Sequence, residues 1–559
     1  MDDRGRGAIR FFPGGTLVPL IPGATVLAHA RRGSVPLSAP CGGEGRCGKC
    51  RVRVEGPASG GDDPGILSRE DRDAGIRLAC RCIPRSRETA VTVLPESRPA
   101  RLEAWIDGKD LLDEEPFVPL YPAPAAGNPL GLALDLGTST IAGALLDMRF
   151  GAILARASGD NPQMACGEDL ISRIVFGEET PGGFDLLRRL LVEGIESVIA
   201  DLLRAAGRAG EIVDVTAAGN TVISHLLCGL SPSPIRRPPH RPAVREFPPR
   251  TGRELGFATA PSAPWRIFPA VGGFVGGDIV SGLVASGMHR DESVSLLFDV
   301  GTNGEVALGN RDWRVACSSS AGPAFEGGEV ACGMRAQAGA IDSVRIDRDA
   351  FRVSWTVIGG GRPKGVCGSG ILDLCAELFR AGLLDRAGRF VPKAGAPFRE
   401  TERGTAFVVA DAGRSATGAP LLFAAPDVKS VLRTKAALCA AAEALLAAVG
   451  LPRESVARIY IAGGFGNFLD LRSAMTLGVF PPFPLDRFAP LGNASLAGAI
   501  GVLRSRRRWK EALSLCAATS YHDLSTDPGF MEAYQRALFI PHTEEERYRT
   551  ALSPGTRRR

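Results

Sequence analysis

The 559-residue sequence lacks an excess of charge of one sign. It contains 66 basic and 61 acidic residues, and its formal net charge at pH 7 is +5. Because basic and acidic residues are nearly equal in number, the net charge gives no reason to expect a nucleic-acid partner. Proteins that bind nucleic acids present clustered positive charge. Apolar residues make up 45% and charged residues 23% of the chain. This composition excludes wholesale disorder and predicts ordinary folded domains.

The sequence also lacks the signs of a membrane or secreted protein. It has no run of 18 apolar residues free of charge and proline, so we predict no membrane span. The N-terminal residues MDDRGRGAIRFF do not show the charged-then-apolar pattern of a signal peptide. The six histidines have no spacing typical of metal ligands. We therefore expect a cytoplasmic protein in a reducing compartment, with neither a membrane nor a nucleic acid as partner.

Cysteine is unevenly distributed along the chain. Five of the 13 cysteines lie in the first hundred residues, and the other eight are scattered singly. Disulfide scaffolds are shorter and more evenly cross-linked, so this class is excluded. A local group of cysteines in a reducing compartment indicates a metal site. The five are Cys41, Cys47, Cys50, Cys80 and Cys82.

The spacing of these cysteines favours a 2Fe–2S cluster. Five residues separate Cys41 from Cys47, two separate Cys47 from Cys50, and 29 separate Cys50 from Cys80. Three thiolates from one loop and a fourth from a distant strand can ligate such a cluster. Four glycines between Cys41 and Cys50 would let the backbone curl around it. A zinc site is the alternative, but it would require paired C-x₂-C knuckles. Cys82 is a weaker candidate for the fourth ligand.

The hydrophobic patterns divide the chain into three regions. Residues 1–95 contain short strand patterns and one main helix pattern, which predict a small mixed sheet. Residues 95–129 contain seven prolines, and we predict a linker over 96–129. From Gly131 onwards, short apolar runs alternate with long amphipathic helix patterns, which indicates α/β architecture.

Two similar loops in the third region predict a nucleotide site. LALDLGTSTIAGALLD (132–147) and LLFDVGTNGEVAL (296–308) each contain a strand, an aspartate, a glycine turn and a second strand. The turn N–H groups and hydroxyls can hold phosphate oxygens. Asp135 and Asp299 can bind Mg²⁺ through water or orient an attacking water. The other candidate phosphate-binding residues are Gly137, Thr138, Ser139, Thr140, Gly301, Thr302 and Asn303.

A third glycine-rich segment completes the expected nucleotide site. In YIAGGFGNFLD (460–470), Gly463, Gly464 and Gly466 follow a buried strand and would allow the backbone to lie against adenine or ribose. The three segments together resemble the superfamily of acetate and sugar kinases, heat-shock chaperones and actin. The resemblance implies a duplicated actin-like ATPase fold over 130–559, with halves at about 130–290 and 291–545. Asp278, in GGFVGGD, is either a further ligand of Mg²⁺ or water or a helix-capping residue.

Further segments narrow the resemblance. NPQMACGEDLISRI (161–174), AAGNTVISHLLCGLSP (217–232) and CSSSAGPAFEGGEV (317–330) look like those of reductive activators of corrinoid-dependent proteins. The resemblance covers residues 7–95 and 130–541. It implies a β-grasp 2Fe–2S ferredoxin-type domain at 1–95, ahead of the ATP-binding unit. The implied cofactors are the 2Fe–2S cluster, ATP and Mg²⁺, and the implied cluster ligands are Cys41, Cys47, Cys50 and Cys80.

The resemblance implies an ATP-hydrolysing electron transferase. It would pass an electron from the cluster to Co(II) of a corrinoid protein of a methyltransferase system, restoring Co(I) for methyl transfer. The partners would be that protein and an electron donor, and a homodimer is compatible with the resemblance. Three alternatives remain: an activator of another low-potential metalloenzyme, a small-molecule kinase with a fused redox domain, and a chaperone-like interaction module.

The region between the two units differs from the family pattern. Many members carry a small middle domain there, whereas only about 35 proline-rich residues are found here, so we expect a shortened middle region. A flexible tether of this length has an r.m.s. reach of about 33 Å. We therefore expect the ferredoxin-type domain to swing between an electron donor and the corrinoid partner.

Overall fold

The fold is taken from a computed structural model of the whole chain. No helix among the residues it describes is long and apolar enough to cross a membrane. The structure describes residues 7–13, 15–33, 35, 37, 39, 43, 45, 48–86, 88–94, 97, 116–121, 127–207, 210–463 and 469–548.

The N-terminal unit is a mixed five-stranded sheet crossed by one main helix, as the sequence predicts. The strand order is β2-β1-β7-β3-β5, and β1 runs parallel to β7. The main helix begins after Thr25, whose hydroxyl accepts a hydrogen bond from the Ala28 amide, and it buries an apolar face on the sheet. The elements are β1 Ala8–Phe12, β2 Thr16–Pro19, α1 Val26–Arg32, β3 Arg51–Glu55, β4 Ala58–Ser59, α2 Arg69–Asp73, β5 Ile76–Leu78, β6 Ile83–Pro84 and β7 Glu88–Val93.

The next part of the chain forms the first of two six-stranded sheets. Its strand order is β10-β9-β8-β11-β13-β12. The long helix α4 covers one face of the sheet with a row of leucine, isoleucine and valine side chains. The elements are β8 Pro129–Leu136, β9 Thr140–Asp147, β10 Ala152–Asp160, α3 Leu170–Glu179, α4 Gly183–Ala206, β11 Glu211–Gly219, α5 Thr221–Leu227, α6 Ser233–Arg236, β12 Arg250–Thr251, α7 Gly252–Leu255, β13 Pro264–Ile267 and α8 Gly277–Ser286.

The last part of the chain forms the second six-stranded sheet, in the order β24-β23-β14-β15-β16-β25, and two further three-stranded sheets. Its elements are β14 Val294–Val300, β15 Gly304–Gly309, β16 Arg314–Ser319, β17 Ala340–Ile346, β18 Val353–Val357, β19 Gly365–Val366, α9 Gly368–Arg380, β20 Phe398–Thr401, β21 Gly404–Ala410, β22 Leu421–Ala424, α10 Ala425–Ala448, β23 Val456–Ala462, α11 Leu471–Leu477, β24 Phe488–Gly492, α12 Ala494–Arg504, α13 Arg506–Ala518, β25 Thr519–Tyr521 and α14 Phe530–Ala537.

The two large sheets repeat one design. In the first, β8, β9 and β10 form an antiparallel set, and β11 and β13 continue the sheet in parallel on the other side of β8. In the second, β14, β15 and β16 form the antiparallel set, and β23 and β24 continue in parallel beside β14. This repetition confirms the expected duplicated fold. Asp135 and Asp299 therefore occupy equivalent positions, one residue before the ends of β8 and β14.

Two closely packed helices join the sheets and set the distance between them. Helices α8 and α12 approach so closely that a Cβ atom on Gly498 would lie 2.1 Å from the Ser281 carbonyl oxygen. The Ser281 hydroxyl donates to the Ser495 carbonyl oxygen at 2.6 Å. Glycine at this crossing permits the close contact and thereby brings the ends of β8 and β14 together.

The N-terminal unit contacts the large unit through the loop that contains the predicted cluster ligands. The Lys49 ammonium donates to the carbonyl oxygens of Ala331, at 3.1 Å, and Gly333, at 2.5 Å. The Ala39 amide donates to a carboxylate oxygen of Glu168 at 2.6 Å. We call these hydrogen bonds the docking contacts. They place the predicted cluster loop against the segment of the large unit that contains Ala331 and Gly333.

Part of the predicted linker is attached to the large unit. The Val118 amide donates to the Arg504 carbonyl oxygen at 2.9 Å, and the Val118 carbonyl oxygen accepts from the Arg506 amide at 2.8 Å. The Tyr121 ring lies 5.6 Å from the Arg266 guanidinium. Residues 116–121 therefore do not contribute to a free tether, and the reach expected for the full linker does not apply to them. Residues 98–115 and 122–126 lie outside the described residues.

Candidate functional site

Two of the four predicted cluster ligands lie side by side in the N-terminal unit. Cys50 immediately precedes β3, and Cys80 follows β5. The Ala79 amide donates to the Cys50 carbonyl oxygen at 2.8 Å, which holds the two cysteines together. Both side chains are buried at the inner edge of the loop. Cys41 and Cys47 lie outside the described residues, so the complete ligand set stays a prediction.

The glycines of this loop form a cradle that fits a cluster. Gly43, Gly45 and Gly48 have φ angles of +104°, +74° and +69°, which side chains rarely adopt. A Cβ atom on Gly45 would lie 1.9 Å from the Arg81 Nε atom, and one on Gly43 would lie 3.9 Å from the Cys80 Cβ atom. The described part of the loop therefore turns tightly at three glycines, one of which lies next to Cys80, and this fits a loop that supplies thiolates to a cluster.

Cys82 has the environment of a packing residue. Its side chain is fully buried in the apolar core of the N-terminal unit. Burial raises the pKa of its thiol to about 11, which disfavours the thiolate that a metal needs. Its carbonyl oxygen accepts from the Val26 amide at 2.7 Å, at the start of α1. Cys50 and Cys80 are buried in the same core, so the choice of Cys80 over Cys82 stays a prediction.

The two predicted phosphate loops face each other across the central cleft. The Gly137 amide donates to the Thr140 carbonyl oxygen at 2.9 Å, and the Gly301 amide donates to the Asn303 carbonyl oxygen at 3.0 Å, so a glycine amide closes each turn, the second turn being one residue tighter. The Ser139 and Thr302 hydroxyl oxygens are 3.3 Å apart. Two loops that are far apart in sequence thus form one hydroxyl-lined surface.

The three candidate catalytic acids gather beneath these loops. Burial and the charges of Asp278, Asp135 and Glu326 raise the pKa of Asp299 to about 8. Burial, followed by the charge of Asp135, raises the pKa of Asp278 to about 6. Burial also raises the pKa of Asp135. The carboxylates are close enough to repel one another, which a bound cation would relieve.

Asp278 is not the N-cap residue of α8. Gly276 is the cap residue of α8, and Asp278 lies inside the first turn. One Asp278 carboxylate oxygen accepts from the adjoining Ile279 amide at 2.8 Å. The side chain also senses the charge of Asp135, so it belongs to the acidic group beneath the phosphate loops.

The third predicted segment begins beside the second phosphate loop. Gly463 follows β23 and has a φ of +93°. A Cβ atom on it would lie 2.4 Å from the Val300 carbonyl oxygen and 3.0 Å from an Asp299 carboxylate oxygen. Only glycine fits here without displacing the loop. Gly464 and Gly466 lie outside the described residues.

Several residues that the sequence analysis missed support the predicted ones. The Asn493 side-chain amide and the Ser495 hydroxyl donate to the two carboxylate oxygens of Asp135, at 2.8 and 2.7 Å. Glu305 lies directly opposite Asp299 in the β14–β15 ladder and is buried. The signal for Asn493 was its place between a strand and a helix, where it caps α12.

Arg173 supports the first phosphate loop from within the protein. Its fully buried guanidinium donates to the carbonyl oxygens of Thr138, at 2.5 Å, and Gly167, at 2.8 Å. It also donates to the Gln163 side-chain oxygen at 3.1 Å. Burial lowers the pKa of Arg173 to about 10. One planar side chain thus fixes the loop to the segment that follows β10.

We expect Arg173→Lys to weaken both the fold and nucleotide binding. A lysine cannot reach three acceptors in different directions, so buried carbonyl oxygens lose their partners. The unfolding free energy should fall by about 2 kcal/mol or more, and the KM for ATP should rise about tenfold. Denaturant unfolding and ATPase kinetics measure the two effects. Arg189→Lys, on the exposed face of α4, is the matched control, and equal behaviour of the two variants would contradict the prediction.

The acidic group predicts an unusual dependence of stability on pH. Because the pKa of Asp299 is about 8 in the folded protein and about 4 in an unfolded chain, the folded protein binds the proton more tightly. The unfolding free energy without nucleotide should therefore fall as the pH rises from about 4 to about 8. Urea unfolding measures the unfolding free energy at pH 5 and at pH 8. The decrease between these two pH values should be smaller in Asp299→Asn than in the parent protein, by about 2 kcal/mol. Identical pH slopes in both proteins would refute this.

Comparison with protein families covers most of the chain with three models. A model described as a 2Fe-2S iron-sulfur cluster binding domain matches residues 14–85. A model described as the RACo middle region matches residues 130–291, and one described as the C-terminal domain of RACo, the ASKHA domain, matches residues 293–551. The expectation of a shortened middle region is therefore wrong. The family's middle region is the part of the chain that contains the first phosphate loop.

Individual proteins show the same similarity. The chain is 31% identical over 451 residues to the corrinoid activation enzyme RamQ of Eubacterium limosum, covering 78% of this chain and 73% of that protein. It is 24% identical over 418 residues to the [Co(II) methylated amine-specific corrinoid protein] reductase of Methanosarcina barkeri, covering 69% and 72%. A solved reductive activator for corrinoid,iron-sulfur protein superposes with a TM-score of 0.73 at 31% identity, covering 97% of this chain and all of that one.

Proposed function

Because this chain belongs to the RACo family of reductive activators, which join a 2Fe–2S domain to an ASKHA domain, we propose that it reduces a corrinoid protein at the expense of ATP. The substrate is the Co(II) form of a protein-bound corrinoid, and the product is Co(I), which accepts a methyl group. The redox partner that supplies electrons and the corrinoid partner are separate proteins. A cytoplasmic location and a homodimer stay predictions from the sequence.

The observation that carries this proposal is that one cleft reaches both predicted sites. The cleft has a volume of about 2170 Å³ and is lined by residues of both units. Ser139 and Thr302 of the phosphate loops lie on its wall, and so do Gly48 and Lys49 of the cluster loop. A chain with two unrelated activities would not need its nucleotide loops and its cysteine loop to share a surface.

The chain's own residues supply the expected contacts with the cluster. Cys50 and Cys80, with Cys41 and Cys47, would provide the four thiolates, and the glycine cradle would direct backbone N–H groups towards them. When bound, the cluster supplies single electrons at a potential near −400 mV. The Arg31 guanidinium lies close enough to Cys50 and Cys80 to sense their charge, so it would offset the negative charge of a thiolate site.

The acids beneath the phosphate loops would receive the cation that accompanies ATP. Among the residues described, no group of three side chains is placed to hold a metal ion directly. Mg²⁺ would therefore arrive with the phosphates and contact Asp135, Asp278 and Asp299 through water. Its charge would offset the burial that raises the pKa of these acids and the repulsion that adds to it at Asp278 and Asp299, and one of the acids would orient the attacking water.

An optical experiment tests the proposed function. The purified protein is reduced and mixed with MgATP, a Co(II) corrinoid protein and a methyl donor that traps Co(I). We expect loss of the Co(II) spectrum that requires ATP. ADP in place of ATP is the control. If no corrinoid protein encoded beside this gene is reduced, or if reduction proceeds equally without ATP, the proposed function is wrong.

A further inference from the structure

Glu326 connects the two phosphate loops in the structure without nucleotide. It is the last residue of the short 3₁₀ helix Pro323–Glu326. One of its carboxylate oxygens accepts from the Thr302 hydroxyl at 2.9 Å and from the Ser139 hydroxyl at 3.4 Å. These hydroxyls are the groups proposed to hold phosphate oxygens. A bound triphosphate and the Glu326 carboxylate would therefore compete for the same donors, with charges of the same sign.

The chain beyond Glu326 returns on itself within seven residues. Gly327 and Gly333 pack backbone against backbone, since a Cβ atom on Gly333 would lie 2.5 Å from the Gly327 carbonyl oxygen. Gly333 is also hydrogen-bonded to Val330 within the turn. We call residues 327–333 the relay loop. Any displacement of Glu326 moves Gly327 and, through this contact, Gly333.

The relay loop also contains a residue in a conformation that costs energy. Glu329 has a φ of +54°, in the left-handed region that non-glycine residues seldom adopt. The conformation is held by an ion pair between Glu329 and Arg433 at 3.3 Å and by a hydrogen bond from the Ala331 amide to Asp427 at 3.0 Å. Loss of one of these restraints would free the segment to leave this costly conformation.

The far end of the relay loop holds the cluster loop. The carbonyl oxygens of Ala331 and Gly333 both accept from the Lys49 ammonium. Lys49 immediately precedes Cys50, a predicted cluster ligand. Glu326 and Lys49 are therefore joined by continuous contacts, from the phosphate loops to the cluster loop.

We infer that Glu326 is a positioning residue that senses the nucleotide's terminal phosphate and controls docking of the 2Fe–2S domain through the relay loop and Lys49. Without nucleotide, Glu326 holds the two hydroxyls and the domain is docked. With a triphosphate bound, the carboxylate is expelled, the relay loop shifts and Lys49 loses its two carbonyl acceptors. The domain is then released, so that its cluster loop can face a protein partner. This inference rests on the proposed function, because it requires the cleft to bind ATP.

Hydrogen exchange of the cluster-loaded full chain tests the inference. The Ala39 amide, which donates to Glu168 in the docked state, reports on docking. The Ala331 amide, which donates to Asp427, reports on the relay loop. With Mg²⁺ and a non-hydrolysable ATP analogue, we expect both amides to exchange at least five times faster, whereas MgADP leaves them unchanged. Calorimetric titration measures binding of the analogue separately.

Two variants test separately the residues that the relay loop connects, Lys49 and Glu326. Lys49→Met should give fast exchange at Ala39 without any nucleotide, with the visible absorption of the cluster retained. Glu326→Gln keeps the hydrogen bonds to the hydroxyls but removes the charge that the phosphate repels. It should bind the analogue at least as tightly as the parent protein, and yet exchange at Ala39 should not rise. Lys364→Met, at another lysine that lines the cleft, is the control and should behave like the parent.

The outcomes distinguish this inference from the proposed function. If the parent protein binds the analogue but exchange at Ala39 stays constant, the inference is wrong and ATP binding stands. If the parent protein does not bind the analogue, both are wrong. A normal response of Glu326→Gln overturns the sensing role, and slow exchange at Ala39 in nucleotide-free Lys49→Met overturns the docking role.

Discussion

Replacing Cys80 with serine is expected to abolish the 2Fe–2S cluster and, with it, more than 99% of corrinoid reduction. Cys80 is the one predicted ligand outside the cysteine-rich loop, and it lies against Cys50 through the hydrogen bond between Ala79 and Cys50. Serine preserves the volume but replaces a thiolate with a hydroxyl that is a poor ligand for iron. Visible absorption and iron content per chain measure cluster loss directly, and ATPase activity shows whether the large unit remains folded.

Cys82→Ser is the matched control for this experiment. It changes the same atom at a site two residues away. Because Cys82 is buried in the apolar core, serine there should lower the unfolding free energy by about 1–2 kcal/mol. Its cluster absorption should remain within a few per cent of the parent protein. If Cys82→Ser loses the cluster and Cys80→Ser keeps it, the fourth ligand has been assigned to the wrong cysteine.

Asp299→Asn is expected to lower the kcat of ATP hydrolysis by about 10²–10³-fold. The residue lies where β14 ends, beside Gly463 and opposite Glu305. An asparagine has nearly the same shape, but it cannot carry the negative charge that holds a hydrated cation and orients water. The same substitution removes charge repulsion, so the nucleotide-free protein should become more stable at pH 8. Loss of activity together with a gain in stability is typical of a residue kept for function.

The control for Asp299→Asn is the same substitution at an exposed aspartate. Asp312→Asn removes one carboxylate from an exposed turn of the same unit. Its kcat should stay within about twofold of the parent protein, and its unfolding free energy should stay within about 0.5 kcal/mol. Steady-state ATPase assays and thermal unfolding at pH 8 compare the three proteins. An Asp299→Asn variant with parental kcat would remove Asp299 from the catalytic assignment and leave Asp135 and Asp278 as the candidates.

Particular residues show how far the sequence could be interpreted. The two D-x-G-T-type loops predicted a duplicated nucleotide fold, because each strand-and-turn pattern is local and its chemistry is contained in a few consecutive residues. Arg173, Glu305 and Glu326 were not identified. Arg173 resembles any arginine on an amphipathic helix, and its three acceptors come from two segments, the first phosphate loop and the segment that follows β10. Nothing in its neighbours along the chain signals that it is buried.

The role of Asp278 also could not be decided from its neighbours in the sequence. Its sequence context allowed either helix capping or a role at the cation site, because both uses place an acid near a helix start. The packing of α8 between the two sheets buries this acid close to Asp135, and its raised pKa follows from that burial and, to a smaller extent, from the charge of Asp135. The distinction depends on how the sheets are arranged and not on the local residues.

Local residue patterns specify the kinds of site in this protein: a cysteine loop suited to a cluster, two phosphate loops and a repeated α/β unit. These are encoded by short spacings, in which covalent neighbours fix the geometry. The tertiary structure alone decided that the phosphate loops meet at Glu326 and that Lys49 docks on the relay loop. Both contacts join residues far apart in the chain, and their partners are selected by the packing of whole sheets and helices, which no local pattern specifies.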